Sequence, residues 1–553
     1  MAHWNYKCLL LGAMLLSAPA VFSQITVRER PAEWSRLVEG GRFMDRFLPM
    51  QGKVLSSDTW GVQGVRPRFV DNGIEDPQWS YWGGNIIKNP NGKYHLFVCG
   101  WLEGSPQGHA EWPRSLVFNA VSDSPNGPFK PRNLVGSGHN PEVYPLKDGR
   151  YVLYVIDGRY VADHPDGNWE YGKFDFNARD RRIIEGLSNL SFTQREDGSY
   201  LMVCRGGGIW ISLDGLSSYN QITDKRVYPD VEGRFEDPVI WRDSVQYHLI
   251  VNDWLGRVAF YLRSKDGIRW VTDPGEAYTP GIAVHENGQV EDWFKFERLK
   301  IFQDQYGRAI QANFAVIDTL KPLDKPFDNH SSKNISIPLN PGLLLSILGE
   351  QPVTAATKRI RVKISAEEGF SPQSDIDLAS LRFGASTEVN FGRGSKVLLS
   401  EKEGPHLIVT FDGKGSGLTA EEFAPKLLGK YSNGKMLYGY ARQPGISYLE
   451  PILSARAPMF YEEGEGLSCR VEVQNFGQVA SSETSLKVEL RQEGKLVSIA
   501  AGTVRALEPY EKIELQLPVK HRFVQGTAYD FVVSLLSGKK VVSTFTLSKK
   551  ALE

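Results

Sequence analysis

The sequence has little cysteine, with four cysteines among its 553 residues. Cys8 lies in an apolar run near the N-terminus, which leaves Cys99, Cys204 and Cys469 in the rest of the chain. These three allow at most one disulfide bond, and no Cys-x-x-Cys pair or Cys/His spacing is present. The sequence therefore predicts neither a zinc site nor a small fold held together by disulfide bonds.

The sequence also lacks an excess of charge of either sign. Lys and Arg total 64 and Asp and Glu total 65, which gives a formal net charge of −1 at pH 7. Domains that bind nucleic acid or an acidic membrane surface usually carry a basic excess. We therefore expect no nucleic-acid partner, and any charged ligand must be bound by a local group of side chains.

Long apolar runs are absent except near the N-terminus. There Lys7 precedes an apolar run from Cys8 to Leu16, and small residues follow as far as Ala20. The run is shorter than the ~20 residues that a membrane-spanning helix needs, and its layout is that of a secretory signal peptide. We expect a cleaved signal peptide over residues 1–23, no membrane span, and a secreted or periplasmic protein.

What the sequence does contain is a plan repeated five times in the first 320 residues. Each repeat begins with a polar or turn-like pair, passes through a strand-like run and a turn such as Asn91-Gly92, and ends in a second strand-like run. Asn-Gly and Asp-Gly suit tight hairpins because both central residues need a positive φ. The spacing of about 50 to 60 residues fits a four-stranded blade. The sequence therefore predicts a five-bladed β-propeller over residues 24–345.

The rest of the chain has a different pattern but is also rich in strand-forming residues. Strand-like runs such as Ile360–Ile364 predict an accessory β-domain over residues 346–455, in which Ala420–Leu428 is the one good helix candidate. Strict alternation in the last hundred residues predicts an immunoglobulin-like β-sandwich over residues 456–553. The predicted fold class is thus all-β throughout.

The residues that open the repeats are the candidates for function. In a propeller the innermost strand of each blade begins near the central axis, so these residues are expected to meet in one funnel. Glycoside hydrolysis needs one carboxylic acid to protonate the departing oxygen and one carboxylate to activate water or attack the sugar. The opening pairs are Trp82-Gly83, His139-Asn140, Ser188-Asn189, Glu236-Asp237 and Glu297-Arg298, and Glu75-Asp76 lies just before the first.

Four segments resemble the five-bladed glycoside hydrolases of family 43 and their relatives in families 32, 62 and 117. They are Glu75-Asp76-Pro77, Gly138-His139-Asn140-Pro141, Phe235-Glu236-Asp237-Pro238 and Phe296-Glu297-Arg298. The resemblance implies an exo-acting, metal-independent and usually inverting hydrolase with an Asp base, a Glu acid and a third carboxylate that orients or tunes the acid.

Carried over by position, the resemblance implies that Asp237 tunes the acid and that Glu297 or Glu236 is the acid. Gly83-Gly84 stands where family 43 has its Asp base, so the base is expected to be Asp76 in the preceding loop. No cofactor is required by this chemistry, and a structural calcium ion is compatible with it.

Several further residues are expected to bind the substrate. His139, Asn140 and Asn189 are placed to form hydrogen bonds with sugar hydroxyls, and Trp82 can stack on a sugar face. Glu75 is grouped with these residues because it adjoins Asp76. Arg298, Arg234 and Arg205 allow an anionic sugar, because guanidinium groups pair well with sulfate and carboxylate.

The leading hypothesis is an exported exo-acting glycoside hydrolase. Its expected substrates are plant or algal polysaccharides or oligosaccharides. A non-catalytic glycan-binding propeller is one alternative, favoured by Gly83 at the base position. A polysaccharide lyase that uses His139 and Tyr144 is a second, and a structural or cell-surface interaction protein is a third. The sequence leaves the oligomeric state open.

Overall fold

The computed structural model describes residues 26–329, 332–464 and 466–551, and the predicted signal peptide at residues 1–23 lies outside them. The described residues are mostly in β-strands, which confirms the all-β class. None of the helices in this part of the chain is long and apolar enough to cross a membrane. Short 3-10 helices lie at Ala32–Arg36, Phe43–Arg46, Gly108–Arg114 and Lys321–Leu323, and an α-helical turn lies at Ser386–Val389.

Between residues 79 and 338 the described chain forms five sheets, each built mainly from consecutive strands. The first sheet has β1 (Trp79–Lys88), β2 (Tyr94–Leu102), β3 (Leu116–Ser122) and β4 (Lys130–Ser137), and the second has β5 (Glu142–Pro145), β6 (Tyr151–Val155), β7 (Gly158–Ala162) and β8 (Glu170–Gly172). The third has β9 (Phe176–Asn177), β10 (Ser191–Gln194), β11 (Tyr200–Val203), β12 (Ile209–Ser212) and β13 (Tyr219–Gln221). The fourth has β14 (Phe235–Arg242), β15 (Tyr247–Asp253), β16 (Val258–Ser264) and β17 (Val271–Tyr278), and the fifth has β18 (Lys295–Gln303), β19 (Ala309–Ile317) and β20 (Ser332–Pro338).

The strands that begin the five sheets in space, β1, β5, β10, β14 and β18, are joined to one another by hydrogen bonds. Middle strands such as β15 are buried along their whole length, because each sheet packs against neighbours on both faces. The bonds are Asn85 Nδ2 to Val143 O, Ser191 Oγ to Glu142 Oε1, Ile240 N to Ser191 Oγ, and Arg298 N to Asp237 Oδ2. The fifth sheet returns to the first through Asn334 Nδ2, which donates to Gly83 O. The five sheets therefore form a closed series.

Each of the five predicted repeats carries a left-handed residue at the second position of its opening pair. The φ angles are 63° at Gly83, 55° at Asn140, 50° at Asn189, 51° at Asp237 and 53° at Arg298. Non-glycine residues rarely adopt this conformation, and they persist in it where the surrounding structure holds them. The pairs are thus equivalent in backbone conformation as well as in sequence position.

A segment before the first sheet, residues 26–76, ties the sheets together and is here called the N-terminal segment. Phe47 bridges to Leu339 and Ile74 bridges to Asn334, so the segment pairs with the free edge of β20. Val38 N donates to Asn390 O, which connects the same segment to the next domain. The beginning of the described chain is therefore fastened to the last of the five sheets.

A seven-stranded sheet follows in the described residues. Its strands are β21 (Leu343–Leu348), β22 (Arg359–Ile364), β23 (Ile376–Gly384), β24 (Val397–Glu403), β25 (His406–Asp412), β26 (Lys426–Tyr431) and β27 (Met436–Tyr440), in the order β23-β26-β27-β21-β22-β25-β24. Because β21 belongs to it, the sheet crosses the predicted domain boundary after residue 345. The predicted helix at Ala420–Leu428 is wrong, because its end pairs as β26 with β23 and β27.

The last part of the described chain forms two sheets that face each other across one apolar core. One contains β28 (Leu453–Ala455), β29 (Met459–Glu463), β30 (Gly466–Asn475) and β33 (Lys512–Pro518), and the other contains β31 (Thr484–Gln492), β32 (Lys495–Val504), β34 (Ala528–Ser537) and β35 (Lys540–Lys550). The pairing of β28 with β30 moves the start of this unit ahead of the predicted residue 456. Cys99, Cys204 and Cys469 are buried free thiols, so none of them forms a disulfide bond.

Candidate active site

A cavity of about 370 Å³ lies where the opening pairs of the five repeats meet. Its size falls in the range usual for small-molecule sites. Eight of the residues predicted for the site line it, and they are Trp82, His139, Asn140, Asn189, Glu236, Asp237, Glu297 and Arg298. The cavity is completed by His109, Ala110, Trp112, Ile156, Ser188, Arg205, Lys321 and Pro322. The repeat alignment therefore brings most of the predicted site residues together.

Asp237 is fixed at the floor of the cavity. Its carboxylate is buried and accepts hydrogen bonds from Arg298 Nη1 at 2.6 Å, Arg298 N at 3.0 Å and Asn189 Nδ2 at 3.1 Å. Asn189 Oδ1 in turn accepts from Asn140 Nδ2 at 3.0 Å. The left-handed residues of four neighbouring sheets thus form one hydrogen-bonded chain, which holds Asp237 rather than leaving it free to react.

Glu236 lies beside this chain and is the most exposed carboxylate of the cavity, with 21% of its side chain accessible. Its Oε1 accepts a hydrogen bond from Asn189 Nδ2 at 3.1 Å and lies 3.5 Å from Arg205 Nη1. Burial and the negative charges of Asp237 and Glu297 raise the pKa of Glu236, against the opposing charges of Lys321 and Arg205. The environment therefore favours the protonated acid.

Glu297 is held differently, by two ammonium groups. The Lys321 ammonium donates a hydrogen bond to Glu297 Oε2, and Lys295 Nζ lies 3.6 Å from Oε1. Burial opposes the charge of Lys321, but Glu297, Glu236 and Asp237 together raise the pKa of its ammonium group. Lys321 also lies over the Trp82 ring, 4.7 Å from its centroid. Glu297 and Lys321 thus form a buried ion pair at one side of the cavity.

Two histidines of the cavity are neutral. Burial, with the positive charges of Arg298 and Lys321, lowers the pKa of His139 well below its usual value. Burial also lowers the pKa of His109, and the charge of Lys321 acts in the same direction. His139 packs against the Trp112 ring at a centroid distance of 4.9 Å, and Trp112 is 40% exposed. The cavity therefore combines neutral imidazoles with an accessible aromatic face.

Three residues predicted for the site lie outside the cavity lining, which corrects the sequence-based prediction. Asp76 caps a turn, because its Oδ1 accepts from Gln78 N at 2.7 Å. Glu75 accepts from Arg68 Nη2 at 2.8 Å and from Lys333 Nζ at 2.7 Å, so it fastens the N-terminal segment to β20. Arg234 is exposed, and its backbone N–H donates to Asp253. The predicted base and two predicted binding residues thus have structural positions instead.

Glu75 shows why an acidic pair before a strand was misleading. Burial works against its charge, but the hydrogen bonds and charges of Arg68 and Lys333 prevail and lower the pKa of the Glu75 carboxyl. A carboxylate matched by two buried cations has its charge satisfied within the fold. Its role is to fasten the N-terminal segment to β20.

Neither His109 nor Lys321 was predicted for the site from the sequence. The order of the strands explains why both lie at the cavity. His109 lies between β2 and β3, Arg205 between β11 and β12, and Lys321 between β19 and β20. In an antiparallel pair, the end of the second strand lies beside the start of the first. Polar residues just after the second strand of each repeat are the signal that could have identified them.

Among residues 26–329, 332–464 and 466–551, no cluster of three or more His, Cys, Asp and Glu side chains is arranged to hold a metal ion. The expected structural calcium ion stays a prediction. Tyr144, which the lyase alternative requires, points elsewhere, because its hydroxyl donates to Phe192 O.

No protein-family model and no curated protein matches the chain. Solved structures to which it is similar include a thermostable family-43 glycoside hydrolase, at 12% identity and a TM-score of 0.32, with 47% of this chain and 90% of that chain covered. An alpha-L-arabinofuranosidase from Lactobacillus brevis matches at 11% identity and a TM-score of 0.34, covering 48% and 92%. An endo-arabinase from Bacteroides thetaiotaomicron matches at 13% identity and a TM-score of 0.31, covering 52% and 98%. The first of these structures is a member of family 43, the family that the sequence motifs resemble.

Proposed function

We propose that the protein is an exo-acting glycoside hydrolase, with Glu236 as the acid that protonates the departing oxygen. One observation carries this proposal: Glu236 lines the cavity with a pKa raised by burial and by the charges of Asp237 and Glu297, while Asp237 is held by Arg298 and Asn189. A general acid must be protonated before the reaction and within reach of the substrate. Glu236 lines the cavity and its pKa is shifted toward the protonated form, so it is preferred over Glu297 as the acid.

The other carboxylates have supporting roles in this proposal. Asp237 keeps a negative charge next to Glu236, which favours the protonated form of the acid. Glu297 holds Lys321 in the cavity, where the ammonium group lies near the same acid. The acid is thus tuned by one fixed carboxylate and one fixed ion pair.

The shape of the cavity supports action at a chain end. Its lining includes the buried residues Asp237, Asn189 and Asn140, and its volume of about 370 Å³ suits the end of a sugar chain. We propose that the five sheets are the blades of a five-bladed β-propeller and that the C-terminal sheets are an immunoglobulin-like sandwich. Export through a cleaved signal peptide and inversion at the anomeric carbon belong to the same proposal.

Arg205 supports an anionic substrate, such as a uronic or sulfated sugar. Arg298 is taken up by Asp237 and Lys321 by Glu297, whereas Arg205 is 36% exposed and has a looser contact with a carboxylate, 3.5 Å from Glu236 Oε1. We expect Arg205→Gln to raise KM for anionic substrates about tenfold or more, because a charge-assisted hydrogen bond is worth roughly 1.5–3 kcal/mol. Steady-state kinetics on matched anionic and neutral glycosides would measure this, and equal changes for both would contradict it.

A substrate panel tests the proposed function itself. Purified protein is incubated with aryl glycosides and with plant and algal oligosaccharides, and the products are followed by chromatography, ultraviolet absorbance and proton NMR. We expect release of single sugars from the chain end with the inverted anomer formed first. Unsaturated, ultraviolet-absorbing products would instead establish a lyase, and binding without product would establish a glycan-binding protein.

A further inference from the structure

We propose that His139 is the general base of this reaction, and that its Nε2 takes the proton from the attacking water. The inference rests on the proposed function, because it supplies the base that Asp76 does not provide. Hydrolysis by inversion needs such a group opposite the acid. The argument follows from where the hydrogen atoms around His139 can lie.

The neighbours of His139 fix its tautomer. His139 Nδ1 lies 2.9 Å from Ser115 Oγ and 3.4 Å from Cys99 Sγ. Ser115 Oγ donates its one hydrogen to Trp112 O, and Cys99 Sγ donates its one hydrogen to Trp82 O at 2.8 Å. A hydroxyl or thiol that already donates its one hydrogen can only accept a further hydrogen bond. The hydrogen between these groups therefore sits on His139 Nδ1.

A neutral imidazole with hydrogen on Nδ1 carries its lone pair on Nε2. The positive charges of Arg298 and Lys321 and the burial of the ring keep His139 neutral. His139 lines the cavity, and its Nε2 has no hydrogen-bond partner in the described part of the chain. Nε2 is also not among the occluded, unpartnered polar atoms there, so it keeps contact with the cavity space. A water in the cavity can therefore donate to it.

The position of His139 relative to Glu236 fits an acid and a base on two sides of a sugar. His139 precedes β5 of the second sheet, whereas Glu236 lies in β14 of the fourth, and the opening residues of the third sheet separate them. Glu297 lies in the adjacent fifth sheet, and its carboxylate is engaged by Lys321 and Lys295. His139 is therefore better placed than Glu297 to act from the opposite side.

The step is balanced. The water oxygen forms a bond to the anomeric carbon as the glycosidic C–O bond breaks, and the water proton passes to His139 Nε2. The departing oxygen takes the proton of Glu236. The imidazolium of His139 then gives one proton to solvent, and the carboxylate of Glu236 takes one proton from solvent. Both groups are thereby restored for the next turnover.

We expect His139→Gln to lower kcat about 100-fold with little change in KM, as is usual for loss of a general base. Azide is a nucleophile that needs no base. It should therefore raise the rate of His139→Ala at least tenfold and yield a glycosyl azide. The matched control is His164→Gln, since His164 is exposed in the loop between β7 and β8 of the second sheet and should retain full turnover. Unfolding curves of each variant verify folding.

The acidic limb of the pH profile gives a second readout. The ionisable groups facing His139 are Arg298, Lys321, His109 and the thiol of Cys99, and burial of the ring together with the two cations places its pKa below the usual histidine range. The wild-type kcat/KM should rise with pH in that range, and the rise should disappear in His139→Gln. Two-bond ¹H–¹⁵N spectra should also show hydrogen on Nδ1 and none on Nε2.

Any one of four results would overturn the proposal. Full turnover by His139→Gln, a change in KM alone, or rescue by azide of Glu297→Ala but not of His139→Ala would remove His139 as the base. Hydrogen on Nε2 in the spectra would do the same. If wild-type protein cleaves no substrate of the panel, the proposed function itself fails, and the spectra still decide the tautomer.

Discussion

Glu236→Gln is expected to lower kcat on glycosides with poor leaving groups by about 10³-fold, because the departing oxygen then leaves without a proton. The amide has nearly the same shape as the protonated acid and can keep its place beside Asn189. Glycosides with a strongly acidic phenol as leaving group need no proton, so their loss should be much smaller. Steady-state rates on a series of aryl glycosides would measure this contrast.

The pH dependence of the activity gives a second test of Glu236 as the acid. Because burial and the charges of Asp237 and Glu297 raise the pKa of Glu236, wild-type activity should fall as pH rises through that raised pKa. The decline should be absent in Glu236→Gln. Glu232→Gln is the matched control, since its side chain is 90% exposed in the loop just before. Equal losses for good and poor leaving groups would rule out the acid role.

Asp237→Asn is expected to lower the free energy of unfolding by about 3–5 kcal/mol, because it leaves Arg298 buried without its partner. The two side chains are each at most 3% exposed and meet at 2.6 Å. Asparagine tolerates the left-handed backbone at this position, so the change isolates the charge. Asp237→Ala should cost roughly 1 kcal/mol more, because alanine adds backbone strain.

Urea unfolding followed by tryptophan fluorescence would measure this effect in the right part of the molecule, because all 13 tryptophans precede residue 294. A double variant, Asp237→Asn with Arg298→Gln, should recover part of the loss, since neither charge is then left alone. A loss below about 1 kcal/mol in Asp237→Asn would show that the pair contributes little, by the standard of exposed ion pairs.

The repeats made the fold and much of the site predictable from sequence. Asp-Gly and Asn-Gly turns fix hairpins locally, and five copies of one hairpin plan imply equivalent positions around an axis. The opening pairs Glu236-Asp237 and Glu297-Arg298 were identified for that reason, and the structure places both in the cavity. Local chemistry repeated at a regular spacing therefore carries long-range information.

Residues outside the repeat plan were not predictable in the same way. Lys321 and His109 lie in short 3-10 helices between strands. Their position at the cavity depends on where the neighbouring strands end. Glu75 was predicted to bind substrate, because the sequence does not reveal that it pairs with Arg68 and with the distant Lys333. The segment Ala420–Leu428 has helix-forming residues, but pairing with β23 and β27 outweighs that local preference.

The N-terminal segment also protects the fold from association with other chains. A strand with an unpaired edge offers free backbone groups that can pair with another molecule. Phe47 and Ile74 cover that edge of β20, so the last sheet is finished by residues that are synthesised first. A polypeptide shortened to begin at Trp79 would keep every strand of the five sheets, yet it would expose β20 and become prone to oligomerise or precipitate.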